Sequence, residues 1–222
     1  LKGALRLLRL QDHQLLVGGL AELAAERGGE NDGHIQRTKA YCHTLALDLL
    51  RNDTPPSLAE QLAEDIANIS VLHDIGKNGI PDSLLSKRGR YTSKEYEIVK
   101  DHTTIGGDIF KELYEQNGSS FFLLAHDIVL YHHERWDGTG YPQGLQGEEI
   151  PLSARIVGFA DVFDSLLSRK PYKDPLPLEH VEMYIQEEKG KQFDPAIVEC
   201  YERNRETFIN INNSITDKEE PW

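Results

Sequence analysis

Between His132 and Pro142, two adjacent histidines run directly into a glycine-rich turn, so any fold of this chain must end one element there and reverse sharply. Neighbouring helical side chains point about 100° apart, so two imidazoles at a helix end can reach different sides of one site. Asp137, Gly138 and Gly140 then allow the backbone to turn and to approach a ligand closely. The stretch predicts either a pair of metal ligands with a substrate-facing loop, or a helix end where histidines favour the negative end of the dipole.

Most of the chain has the apolar spacing of amphipathic helices, and alternating strand patterns are scarce. Capping patterns at Ser57, Thr92 and Asp194 mark three helix starts, and the apolar run before His132 predicts a buried helix. The predicted helices cover about residues 1–27, 32–50, 57–73, 92–114, 121–131, 153–167, 178–188 and 195–205. The sequence therefore indicates an all-α fold.

The chain has 222 residues, of which 39% are hydrophobic, and this is enough for one sizeable core. We divide it into an N-terminal helical connector over residues 1–27, one domain over 28–210 and a polar tail over 211–222. Because the chain begins with leucine, we expect the connector to follow an upstream sensory or receiver region, which could be membrane-bound. We also expect a homodimer through the N-terminal helices.

The charge balance narrows the class of ligand. Thirty-seven acidic and 24 basic residues give a net charge of −13, which argues against a protein that binds duplex nucleic acid. A small phosphate-bearing ligand stays compatible if bound metal supplies positive charge locally. Two cysteines are too few for a disulfide framework, and the sequence shows no signal-peptide pattern and no long apolar run. We therefore expect a cytoplasmic location.

Histidines and carboxylates are the candidate metal ligands, because thiols are nearly absent, and this choice suits iron or manganese as well as zinc. Taken singly, His102 is equally well explained as a structural histidine, Asp161 as a partner of a neighbouring loop and Lys77 as a solvated cation. Their joint occurrence along the predicted helices favours one metal centre. The candidate ligands are Glu30, His34, His73, Asp74, His102, His132, His133 and Asp161.

Two segments are similar to the signatures of a known family. The segment HDIGKNGIP over residues 73–81 resembles the signature of the HD phosphohydrolase superfamily. The segment HHERWDGTGYP over residues 132–142 resembles the defining segment of its HD-GYP branch. The resemblance covers about residues 30–203. It implies an HD-domain helical bundle with a metal cluster in its core and a loop that carries the Gly-Tyr-Pro motif.

The resemblance also implies an activity. Members of this branch bind two or three divalent metal ions, usually iron or manganese, and hydrolyse the bacterial second messenger cyclic di-GMP. For this chain it implies cleavage to linear pGpG, GMP or both by a metal-bound hydroxide, with Asp74 and Lys77 as catalytic residues. Glu30 matches the extra acidic ligand of members with three ions. The other implied ligands are His34, His73, Asp74, His102, His132, His133 and Asp161.

Substrate contacts are expected from the turn and from a later basic segment. Lys170 stands where the family tends to have arginine. Arginine can bind phosphate in a bidentate manner and lysine cannot. The alternative that the chain is an HD hydrolase for a hybrid cyclic dinucleotide therefore stays open. A second alternative is a weak cyclic-dinucleotide sensor, or a module that docks other signalling proteins through the Gly-Tyr-Pro loop. The expected substrate-binding residues are Lys77, Asp137, Gly138, Gly140, Tyr141, Pro142, Lys170 and Lys173.

Overall fold

The computed structural model describes residue 19 and the ranges 32–168 and 174–216. Every regular element in the two ranges is a helix, and the predicted all-α fold is confirmed. The α-helices are α1 Asp32–Leu50, α2 Pro56–Ser70, α3 Asp82–Leu85, α4 Ser93–Asn117, α5 Ser120–Tyr131, α6 Leu152–Leu167, α7 Leu178–Glu187, α8 Pro195–Arg203 and α9 Arg205–Ser214. Short 3-10 helices cover Ile75–Gly79 and Gly147–Glu149.

Four predictions fall on parts of the chain that lie outside the described residues. They are the helical connector with its proposed dimer contacts, the candidate ligand Glu30, and the candidate substrate contacts Lys170 and Lys173. In the described residues, no helix is both long enough and apolar enough to cross a membrane.

Hydrogen bonds between residues close in sequence explain several helix ends. Thr92 Oγ1 accepts a hydrogen bond from the Glu95 N–H at 3.3 Å, and Glu95 Oε2 accepts one from the Thr92 N–H at 2.7 Å. This is the predicted capping box at the start of α4. Asp194 Oδ1 accepts a hydrogen bond from the Ala196 N–H at 2.8 Å, and Gly118 ends α4 in the left-handed conformation, with φ of 66°. The starts of α4 and α8 are therefore encoded locally.

The ends of α2 differ from the prediction. The capping pattern at Ser57 predicts a helix that carries His73 and Asp74 at its end, but α2 begins at Pro56 without a side-chain cap and ends at Ser70. Proline suits the first helical position because its φ is already fixed near the helical value. After Ser70 the chain continues in tighter turns, in which the His73 N–H donates to the Ser70 carbonyl at 3.2 Å. Both candidate ligands therefore lie in a turn after α2.

The C-terminal helix α9 is the second difference between the predicted and the observed helices. The sequence predicts that the last helix ends near residue 205, whereas a further helix follows and buries Phe208 completely. The ring of Phe208 stacks on Tyr41 of α1 with centroids 4.5 Å apart, and it meets Phe163 of α6 edge-on at 5.2 Å. Through Phe208, α9 therefore contributes to the core.

Two pairs of helices and one shared helix form the bundle. The first pair is α1 with α2, the second is α4 with α5, and α6 packs against both α1 and α5. Large side chains that are fully buried, among them Phe110, Phe159 and Phe163, fill the interior between them. Because α6 touches both pairs, a side chain on its inner face can meet residues from each pair. This arrangement positions the candidate site.

Candidate metal centre

Seven histidine and aspartate side chains from five parts of the chain meet in two adjacent groups. Within each group, one potential ligand atom per residue lies within 4.8 Å of the others. We call them group A, which comprises Asp74, His102, His132 and His133, and group B, which comprises His34, His73 and Asp161. The described structure thus brings together every predicted ligand except Glu30.

Asp74 lies between the two groups. Its Oδ1 atom is 3.1 Å from His102 Nε2 and 3.9 Å from His132 Nε2, both in group A. Its Oδ2 atom is 3.5 Å from Nε2 of His73 in group B. A carboxylate with one oxygen towards each group is suited to bridging two cations.

Asp161 and Lys77 contact different members of this arrangement. Asp161 Oδ1 is 3.7 Å from His34 Nε2 and 3.8 Å from His73 Nε2, so α6 supplies the acidic member of group B. Lys77 forms an ion pair with Asp74, and 21% of its side chain is exposed. Its ammonium group therefore lies beside the carboxylate that faces both groups.

In four candidate ligands, the ring nitrogen Nδ1 lies within hydrogen-bonding distance of an oxygen atom. A carbonyl or carboxylate oxygen only accepts a hydrogen bond, so Nδ1 carries the proton in these rings and Nε2 keeps the lone pair that binds metal. The Nδ1 contacts are His34 with Asp164 Oδ2 (2.8 Å), His73 with Ser70 O (2.8 Å), His102 with Val99 O (2.7 Å) and His132 with Val129 O (3.0 Å).

Burial keeps the adjacent histidines neutral. Burial, together with neighbouring histidines, lowers the pKa of His132 well below its usual value and the pKa of His133 to about 4. The neutral imidazole is the form that binds metal. Neutral imidazoles and carboxylates that face one another at these distances fit divalent metal ions, and the cluster is able to bind them.

Two motif glycines permit close backbone contacts at the centre. A Cβ atom on Gly76 would lie 1.8 Å from the His102 carbonyl oxygen, and one on Gly140 would lie 2.3 Å from the Arg135 nitrogen. Real Cβ atoms do not make contacts this short. The turn after Asp74 therefore packs directly on α4, and the Gly-Tyr-Pro loop folds back on its own start.

Glu134 shapes that loop, although the sequence does not single it out. Its carboxylate accepts hydrogen bonds from the backbone N–H groups of Gln143 (2.7 Å), Gly144 (3.1 Å) and Leu145 (3.0 Å). The signal was an acidic residue immediately before a long turn whose N–H groups require acceptors. Glu134 therefore supports the loop beside the metal centre.

The predicted residues of the loop have different surroundings. Gly140 and Tyr141 line a cavity of about 410 Å³ beside the two adjacent histidines. The Asp137 carboxylate instead accepts hydrogen bonds from the N–H and hydroxyl groups of the threonine two residues later, at 3.0 and 2.6 Å. Gly138 has a φ of 78°, and a cis peptide bond joins Tyr141 to Pro142. Asp137 and Gly138 therefore hold the turn that presents Tyr141.

Two cavity residues on α4 are not predicted from the sequence. Lys100 Nζ lies 4.9 Å from the ring centroid of Tyr96 and 5.3 Å from that of Tyr141. The ring of Tyr141 in turn lies 4.8 Å from that of His133. Tyr96 and Lys100 are four residues apart, and this helical spacing was the only sequence signal that they share a face. They add a cation and an aromatic ring to the lining of the cavity.

Comparisons with known proteins identify the family of this chain. The family model of the HD domain matches residues 20–197. A probable cyclic di-GMP phosphodiesterase of Vibrio cholerae is 36% identical over 214 residues, which cover 95% of this chain and 48% of that protein. A cyclic di-GMP phosphodiesterase of Thermotoga maritima is 46% identical over 160 residues, which cover 72% of this chain and 40% of that protein. The 3′3′-cGAMP-specific phosphodiesterase 2 of Vibrio cholerae is 39% identical over 202 residues, which cover 91% of this chain and 37% of that protein. The chain thus spans less than half the length of each of these relatives.

A solved structure shares the fold. The crystal structure of a cyclic GMP-AMP-specific phosphodiesterase of Vibrio cholerae matches with a TM-score of 0.59 and 20% sequence identity, covering 91% of this chain and 52% of that one. The match agrees with the helical architecture described above. The family model, the relatives and the two signature segments lead to one assignment: the chain belongs to the HD domain family, and within it to the HD-GYP branch.

Proposed function

We propose that this domain is a metal-dependent phosphodiesterase that hydrolyses cyclic di-GMP to linear pGpG, GMP or both. The observation that carries the proposal is Asp74, whose two carboxylate oxygens face the two groups of histidine ligands. Two-metal sites, with ions roughly 3.5–4 Å apart, stabilise both the attacking and the leaving oxygen of a phosphodiester. The relatives that are named cyclic di-GMP phosphodiesterases support this substrate.

Each part of the site has a role in this proposal. Groups A and B would each hold one ion, with Asp74 shared between them. Ions bound there would supply Lewis acidity and lower the pKa of the water that serves as nucleophile. Lys77, paired with Asp74, would place a positive charge near a phosphate oxygen. The rings of His133 and Tyr141 form an aromatic surface on which a guanine base or a sugar would pack.

Iron and manganese are the proposed metals. Their preference for imidazole together with carboxylate oxygen matches the donors of both groups. A third ion would lie near His34 and use Glu30, which lies outside the described residues. Metal analysis after anaerobic purification would give both the identity and the number of the ions.

The experiment that tests the proposed function measures metal content and turnover on the same preparation. We expect at least two ions per chain and cleavage of cyclic di-GMP, with the product identified by chromatography. Asp74→Ala should lose both metal retention and hydrolysis. Asp101→Ala removes an exposed acid next to His102 on α4 and should keep both. Normal hydrolysis by Asp74→Ala would overturn the mechanism.

A hybrid cyclic dinucleotide is a second candidate substrate. It is favoured by the 39% identical relative that is named a 3′3′-cGAMP-specific phosphodiesterase. Comparing kcat/KM for the two cyclic dinucleotides decides between them, because this ratio measures discrimination in the transition state. Full metal occupancy with tight binding but no product would instead indicate a sensor. Docking of signalling proteins to the Gly-Tyr-Pro loop and dimerisation through residues 1–27 stay predictions.

A further inference from the structure

Asp164 lies one helical turn after the ligand Asp161, yet it belongs to neither ligand group. Its side chain is completely buried at 0% exposure. A buried carboxylate is costly unless hydrogen bonds compensate it, and here three residues supply them. The donors are His34 Nδ1 (2.8 Å), Arg37 Nε to Oδ1 (2.6 Å), Arg37 Nη2 to Oδ2 (3.0 Å) and Ser168 Oγ (2.9 Å).

The contact with His34 determines which atom of that ring faces the metal centre. Because the Asp164 carboxylate accepts the Nδ1–H, Nε2 keeps its lone pair and lies 3.7 Å from Asp161. Arg37 is three residues after His34 on α1, and its guanidinium neutralises the carboxylate from the same helix. His34 therefore contacts the Asp164 carboxylate through Nδ1 and faces the candidate metal site of group B through Nε2.

We propose that Asp164, held in place by Arg37, is the positioning residue of group B, orienting His34 and fixing its tautomer so that Nε2 binds metal. Carboxylates in this position also raise the basicity of the ligand, and their loss typically weakens metal binding about 10- to 100-fold. The inference rests on the proposed metal-dependent function. It goes beyond that function by giving a role to residues that touch neither ion nor substrate.

Ser168 offers a matched control within the same network. It donates to Asp164, and its hydroxyl oxygen accepts a hydrogen bond from Arg37 Nη2 at 2.8 Å. Ser168 is hydrogen-bonded to Asp164 and Arg37, so removing its hydroxyl loosens the carboxylate and leaves the hydrogen bond between His34 and Asp164 in place. Ser168→Ala therefore reports what a structural loss in this network does by itself.

The test uses apoprotein titrated with Mn²⁺ by calorimetry, followed by electron paramagnetic resonance of the loaded protein. Wild type should bind two ions and give the spectrum of a spin-coupled pair. Asp164→Asn keeps the size of the side chain but removes its charge, and it should weaken one of the two sites about 10- to 100-fold. Group A should stay filled, so the spectrum should become that of a single ion. Ser168→Ala should keep both ions and the coupled spectrum.

Several outcomes would overturn the inference. They are wild-type affinity at both sites in Asp164→Asn, equal weakening of both sites, or the same loss in Ser168→Ala. If Asp164→Asn does not fold, ¹⁵N NMR of wild-type apoprotein decides the matter, because a His34 ring protonated at Nε2 rather than Nδ1 contradicts the proposal. Failure of the proposed function looks different: wild type would bind two ions and Asp164→Asn one, but neither cyclic dinucleotide would be cleaved.

Discussion

Acidic side chains around the metal centre have three distinct uses, and the one proposed for Asp164 is to orient His34. Asp74 and Asp161 direct their oxygens towards the histidines of groups A and B. Glu134 instead accepts three backbone hydrogen bonds from the Gly-Tyr-Pro loop and is only 8% exposed. Hydrogen bonds to a charged acceptor are each stronger than those between neutral groups. Glu134 therefore holds the shape of the loop, and its loss should affect substrate binding rather than metal binding.

We expect Glu134→Ala to lower the free energy of unfolding by about 1–3 kcal/mol, because it removes three hydrogen bonds that the backbone of the loop donates to a carboxylate. The KM for cyclic di-GMP should rise, since the loop carries Tyr141, while metal content stays at the wild-type level. Urea denaturation, steady-state kinetics and metal analysis give the three values. Glu148→Ala changes an exposed acid of the same connecting segment and should behave as wild type. Unchanged stability together with unchanged KM would contradict the role of Glu134.

Individual ligand residues differ in how far the sequence reveals their surroundings. His73 and His102 each direct Nδ1 to the carbonyl three residues earlier, so the helix or turn that carries the ring also supplies the acceptor. His34 reaches Asp164, which is 130 residues away. Spacing within one helix predicts the first kind of contact. The second depends on how α1 and α6 pack, and no local pattern predicts that packing.

Among the elements, α4 contributes two residues to the cavity in addition to the candidate ligand His102 in group A. Tyr96 and Lys100 project from its N-terminal half towards Tyr141, and the two tyrosine rings lie 6.5 Å apart. Lys100 also donates a hydrogen bond to Glu97 at 2.9 Å, which keeps its ammonium group near these rings. A cyclic dinucleotide that enters the cavity would therefore meet a cation and two aromatic faces.

We expect Lys100→Met to raise KM for cyclic di-GMP by about two- to fivefold, the scale of an exposed cation–π contact, with kcat nearly unchanged. The methionine keeps the length of the side chain and removes its charge. Steady-state kinetics on metal-loaded protein measures both constants. Lys111→Met, an exposed change on the same helix, should leave both as in wild type. A fall in kcat without a rise in KM would place Lys100 in the chemical step instead.

Helix α9 stabilises the domain through Phe208, which is completely buried against Tyr41 and Phe163. We expect Phe208→Ala to lower the free energy of unfolding by about 3–5 kcal/mol, because it removes apolar contacts and leaves a cavity. Asn210→Ala, at an exposed position of the same helix, should change it little. Chemical denaturation measures both variants, and a small effect of Phe208→Ala would show that α9 is not part of the cooperative core.

The elements that the sequence predicts well are those with local signals. Thr92 with Glu95, and Asp194 at the start of α8, supply their own caps, so these helices begin where predicted. Helix α9 has the sequence RETFININNS and buries one residue fully, so no apolar stripe reveals it. The end of α2 at Ser70 likewise depends on the turn that follows, not on a stop signal.

For the whole molecule, the metal centre is where the two helix pairs meet. Group A draws on α4, the end of α5 and the turn after α2, and group B draws on α1, α6 and the same turn. Asp74 connects the groups at their junction. Ions bound there would therefore hold together elements that are distant in sequence, and the stability of the domain should depend on metal.

We expect chelation to lower the midpoint of thermal unfolding by about 5–10 °C. A ligand at 100 times its dissociation constant stabilises the folded state by about 2.7 kcal/mol, and each kcal/mol shifts a domain of this size by about 2–4 °C. Calorimetry before and after chelation measures the shift, and adding Mn²⁺ or Fe²⁺ under anaerobic conditions should restore the midpoint. Asp74→Ala, which should retain no metal, should not respond to chelator. An unchanged midpoint after measured loss of metal would show that the bundle holds its ligands in place without the ions.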